Sequence, residues 1–113
     1  MFIAMNRFRV LKDQAKAFEQ MWLTRDSRLH ELKGFIEFQM LRGPEAEDGT
    51  FLYSSYTRWA AKADFEAWTQ SEQFRAAHVR AENSPRMTTG HPQFEGFEVI
   101  QYTDAKGAPG QAA

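Results

Sequence analysis

Three residues stand where their chemistry fits poorly with a purely structural role. Asn6 falls on the apolar side of an alternating stretch, residues 2–10, where valine or leucine would cost less to bury, so its carboxamide needs a partner. An amide carries donor and acceptor together; it serves either as a structural or interface hydrogen bond or as the group that steadies a polar ligand atom in a dry pocket. His78 lies on an apolar helical face between Ala77 and Ala81, small neighbours that let something bulky and flat approach. Such a histidine is a core or capping residue in one reading. In the other its neutral imidazole is the common proximal ligand of haem iron. Trp68 follows Phe65 by three residues, which is a core stripe taken alone and the wall of a cofactor pocket in company.

On an unbroken helix the ten-residue step from Trp68 to His78 separates the two side chains by about 15 Å along the axis and about 80° in direction. A break near Ser71, which can cap a new turn, folds them toward one cavity. The other histidines lack this context: His30 adjoins Glu31 in a helical stretch and His91 sits in a Gly/Pro loop, so both read as solvated. Haem iron apart, no His-x-x-x-His or Glu-x-x-His pair supplies metal-ligand spacing, and neither a Gly-rich phosphate loop nor a Gly-x-Ser-x-Gly elbow is present. Nine arginines against five lysines offer guanidinium partners for a carboxylate-bearing ligand, without marking which arginine.

Composition narrows the classes further. With no cysteine there is no disulfide framework, no thiolate nucleophile and no thiol redox relay, so redox chemistry must come from a cofactor. Fourteen basic against fifteen acidic residues give a net charge of −1, which provides no global field for phosphate backbones and argues against nucleic acid. No stretch has membrane-spanning length and the first residues lack a signal-peptide pattern, so a cytoplasmic protein without a membrane partner is expected. Ten phenylalanines and three tryptophans in 113 residues offer more flat apolar surface than a small domain buries alone, which suggests a dimer, a flat ligand, or both.

The elements that must position these residues follow from periodicity. Alternation predicts strands at 2–10, 35–41, 51–59 and 97–102. Between the first two, Phe18, Met21, Trp22, Arg25, Leu29 and Leu32 recur at helical spacing from an Asp13 cap to Gly34, predicting one long helix. Residues 45–49 read as an acidic, solvated turn, 63–70 as a second helix broken near Ser71, and 83–93 as a loop. The order β-α-β-β-α-β is the split βαβ arrangement: one antiparallel sheet with both helices on one face. The sheet's other face is then bare, and a two-fold dimer is expected to cover it. Residues 1–103 form this domain, and 104–113, without a large apolar residue, form a tail.

Taken together, Met5-Asn6-Arg7-Phe8, the stretch from Trp59 through Phe65 to Trp68, and Ser71-Glu72-Gln73-Phe74-Arg75-Ala76-Ala77-His78 resemble the antibiotic-biosynthesis monooxygenase superfamily, and within it the haem-degrading branch. The likeness runs from about Met1 to Tyr102. It implies a ferredoxin-like α+β domain paired as a dimeric β-barrel, with haem as both cofactor and substrate. His78 would be the proximal iron ligand, Asn6 the distal hydrogen-bond donor and Trp68 the bulk that buckles the porphyrin. O2 and an external electron donor, delivered by a reductase, would open the ring and release iron and a linear tetrapyrrole. Two alternatives stand beside this reading: a cofactor-independent quinol or polyketide monooxygenase, which the superfamily also includes, and a non-catalytic haem-binding protein, for which His78 alone would suffice. One departure from its pattern is Ala61, where members often place a helix-capping Ser or Thr.

Overall fold

The computed structural model describes residues 1–25, 28–72, 74–76 and 87–107. Alternation in the first stretch yields β1, Phe2–Val10, in which Phe2, Ala4 and Val10 are buried while Arg7 and Arg9 are exposed. A single 3-10 turn, Lys12–Gln14, leads into α1, Ala15–Thr24. This helix is shorter than its spacing predicts. It ends at Thr24, Arg28 takes a left-handed conformation with φ 55°, and a separate 3-10 turn, Leu29–Glu31, buries Leu29. Asp13 does not cap α1, whose N-terminus has no side-chain hydrogen bond.

Gly34 then turns the chain into β2, Phe35–Glu45, which pairs with β3, Phe51–Trp59. Only glycine suits position 34: φ is +78°, and a β-carbon there would meet the Asp64 carboxylate at 2.1 Å. The Gly34 carbonyl also accepts the Ala60 N–H at 2.7 Å, fixing the start of β2 beside the entry to α2, Lys62–Thr69. β2 runs four residues beyond the predicted end, through Gly43 and Pro44. The register slips between Arg42 and Glu45, and an edge strand tolerates a proline at such an irregularity.

β4 occupies Gln93–Glu98 rather than 97–102. Its ladder with β1 closes at Phe2↔Glu98, and Val99 donates to the Met1 carbonyl at 2.9 Å, so the later alternation has no strand to join. The sheet order β2-β3-β1-β4, antiparallel throughout, is the ferredoxin-like split βαβ topology. The sheet is open, with β2 and β4 as edges; the barrel implied by the resemblance is not closed within one chain. No helix among the described residues is long and apolar enough to cross a membrane.

Register puts Phe2, Ala4, Asn6, Phe8 and Val10 on the same face as Trp59, Thr57, Ser55, Tyr53 and Phe51. Two aromatic clusters grow from that face. Under α2, Phe2, Ala4, Leu29 and the fully buried Trp59 pack with Phe65 and Trp68; under α1, Val10, Phe18 and Tyr53 pack with Phe8, Trp22 and Met40. The second cluster is pinned by a polar clamp. The buried Tyr53 hydroxyl donates to Glu19 of α1, and Arg42 of β2 pairs with the same carboxylate at 3.1 Å.

Burial, followed by the hydrogen bond to Glu19, pushes the Tyr53 phenol up to about 12. The same hydrogen bond, more than the nearby Arg42 charge, holds the Glu19 carboxyl below its usual 4.5. The stability Tyr53 contributes is therefore fully present below pH 10.0 and is lost as pH rises through about 12. Thermal unfolding followed against pH should show that alkaline decline, and Tyr53→Phe should flatten it while lowering the melting temperature at neutral pH. An unchanged alkaline slope in the variant would assign the decline elsewhere, to Tyr56, whose phenol is also raised by burial and by Glu37.

Candidate functional site

Asn6 lies between the two aromatic clusters, at the centre of the helix-bearing face. Ser55 is its neighbour on β3 and Phe94 on β4. Its backbone N–H donates to Ser55 Oγ at 3.3 Å, but its half-buried carboxamide has no hydrogen-bond partner among the described residues. The strand thus holds a donor and an acceptor on a predominantly apolar surface with nothing among the described residues to use them.

The α2 side of this surface is aromatic. Phe65 stacks on Phe94 with centroids 5.5 Å apart and planes 3° from parallel, and it lies 5.9 Å from Trp68. Trp68 is half-buried and stacks on Trp59 at 5.7 Å. Gly96, opposite Ala4, leaves room for this wall, because a β-carbon there would meet the Phe2 ring at 2.7 Å. Sequence reading missed Phe94, which fell at the edge of an expected loop. A two-residue step to Gly96 was its only signal.

The break near Ser71 is present. Ser71 Oγ donates to the Trp68 carbonyl at 2.6 Å and accepts the Phe74 N–H at 3.1 Å, so one hydroxyl ends α2 and starts a new turn. That turn returns Phe74 to Trp68, edge-on at 4.9 Å. His78, four residues after Phe74, lies outside the described residues. The structure therefore places Asn6 and Trp68 on one side of the sheet, linked through Phe94 and Phe65, and leaves the third predicted residue unplaced.

The remaining histidines are exposed, His30 on the 3-10 turn after α1 and His91 before β4. His91 lines a cavity of about 460 Å³ with Arg7, Arg9, Gln93 and Glu95. That cavity lies at the end of β4 toward the helix-free face, where Arg7 is already paired with Glu95 at 2.6 Å, and it includes neither Asn6 nor Trp68. Apolar walls and an unused amide mark the helix-side surface as the better ligand site. Among the described residues no group of three or more His, Asp or Glu side chains is arranged to hold a bare metal ion.

Residues 1–80 match the family model described as antibiotic biosynthesis monooxygenase. A heme-degrading monooxygenase of Shouchella clausii is 37% identical over 70 residues, covering 61% of this chain and 64% of that protein. The chain thus spans just under two thirds of that relative. A staphylobilin-producing heme oxygenase of Staphylococcus haemolyticus is 30% identical over 90 residues, covering 75% of this chain and 85% of its own length. Among solved structures, a variant of MhuD with two manganese protoporphyrin IX molecules per active site superposes with a TM-score of 0.76 at 23% identity, covering 93% of this chain and 100% of that one. MhuD is a heme-degrader from Mycobacterium tuberculosis. At that identity the likeness supports the fold alone.

Proposed function

Because the chain belongs to the antibiotic biosynthesis monooxygenase family, we propose that it is a haem-degrading monooxygenase: it binds haem, opens the porphyrin with O2 and electrons from an external reductase, and releases iron and a linear tetrapyrrole. The observation that carries this reading is the unpartnered Asn6 carboxamide beside aromatic walls on the helix-bearing face. A flat, largely apolar ring suits those walls, and a polar atom at its centre suits the amide. Two relatives named for haem degradation support the same choice.

When bound, haem supplies redox-active iron and is itself the molecule consumed. The chain supplies position. His78 would hold the iron through a neutral imidazole nitrogen. Asn6 would donate its amide N–H to a polar atom of the bound group, costing little reorganisation because the carboxamide has no hydrogen-bond partner to give up among the described residues. Trp68, backed by Trp59 and Phe74, would supply the rigid bulk that crowds the bound ring. Phe65 and Phe94 extend that wall and would cover part of the bound ring. The helix-free face carries the half-buried Ile3, Met5 and Leu52 between ion pairs, a composition that suits pairing with a second copy in a homodimer. A cytoplasmic location suits a reaction that draws on a cellular reductant.

Oxygen uptake tests the reading against its alternatives. With ascorbate in air and catalase present, hemin-loaded protein should consume oxygen until the hemin is spent, while haem-free protein given a quinol should consume none. Uptake by haem-free protein would establish the cofactor-independent alternative. A hemin complex that persists without uptake would reduce the function to haem binding.

A further inference from the structure

Asn6 is not the sole unused donor near this surface. Trp22 of α1 packs against Phe8, Phe18 and Phe38, with ring centroids at 6.2, 6.2 and 5.8 Å, and the Arg25 guanidinium lies 4.3 Å over its ring. Its Nε1 is buried and has no hydrogen-bond partner among the described residues. Trp59, by contrast, gives its indole N–H to Thr57 Oγ1 at 3.0 Å. An indole N–H can only donate, and a buried donor without an acceptor destabilises the ligand-free fold. Phenylalanine at position 22 would keep much of the packing and carry no such donor. Phe8, against which Trp22 packs, is two residues from Asn6 on the same face of β1, so the two unused donors flank one aromatic ring.

We propose that the Trp22 indole N–H is a ligand-binding donor that takes a carboxylate oxygen of the bound tetrapyrrole. The inference rests on the haem reading above and adds a positioning residue on the α1 side, opposite the Trp68 wall. The propionates are the only hydrogen-bond acceptors at the edge of haem, which selects a carboxylate, and Glu19, the α1 carboxylate on this side, is already taken by Tyr53 and Arg42. Because Nε1 lacks solvent contact in the ligand-free protein, the acceptor reaches it only as the packing around the indole opens. Binding therefore changes the surroundings of Trp22.

The test compares wild type with Trp22→Phe in titrations with hemin and with hemin dimethyl ester, whose carboxylates are blocked. Hemin affinity should fall about tenfold in the variant, the scale of one hydrogen bond to a charged acceptor. Affinity for the ester should be equal in the two proteins. The haem-free variant should melt at the same temperature as wild type or higher, since it has shed an unpaired donor. In 15N-labelled wild type, the indole N–H signal absent from Trp22→Phe should move downfield on adding diamagnetic gallium protoporphyrin IX. Unchanged hemin affinity, an equal loss for acid and ester, or an unmoved indole signal would each overturn the inference while leaving the haem reading intact. Failure of wild type to bind hemin at all would overturn both.

Discussion

His78→Ala is expected to weaken hemin binding by about 100-fold or more, the upper end of what loss of even a supporting residue costs at a metal site. The absorption pattern of a histidine-ligated iron should disappear with it. Adding free imidazole should restore part of that spectrum, because the vacated position then accepts an exogenous ligand of the same chemistry. The expectation rests on the resemblance carried by Phe74 and His78, and the placement of the other histidines supports it. His30 is exposed on a 3-10 turn, and His91 lines the cavity at the end of β4, away from Asn6. Equal spectra and affinities in wild type and variant would remove His78 from the site.

The second large effect belongs to Asn6. Asn6→Ala should leave hemin affinity within a few-fold of wild type and slow ring opening by about 10²- to 10³-fold, the range for removing one preorganised donor. The structure adds a control. Since the carboxamide has no hydrogen-bond partner among the described residues, its loss should barely move the melting temperature, whereas an amide serving the fold would cost several degrees. A variant with a lowered melting temperature and unchanged turnover per folded molecule would return Asn6 to a structural role.

The place of Asn6 on the helix-bearing face was legible from sequence because a strand has only two sides, and a polar residue on the apolar one stands out without knowledge of what surrounds it. The Ser71 break was legible for a similar reason: a hydroxyl followed by Phe74 three positions later is local chemistry, and the two hydrogen bonds at Ser71 follow it closely. The failures came where local pattern and long-range pairing part company. Arg25, Leu29 and Leu32 keep helical spacing across a left-handed Arg28, because the separate turn brings Leu29 to the core by another path. Alternation through Tyr102 outlasts the ladder that ends at Glu98, since period two records which way side chains point and says nothing of whether a neighbouring strand is there. Phe94 opposite Asn6, the Tyr53–Glu19–Arg42 clamp and the unpaired Trp22 N–H depend on register and helix packing. A periodicity reading does not contain them.

The most direct test of haem degradation is the fate of the porphyrin itself. Hemin-loaded protein is given ascorbate in air with catalase present, the Soret band is followed, and the products are assayed for chelatable ferrous iron and for a linear tetrapyrrole by mass. Loss of the Soret band, with growth of a bilin-like absorption and release of iron in step with haem consumed, is the predicted result. A Soret band that survives repeated additions of reductant, with no iron released, would contradict it.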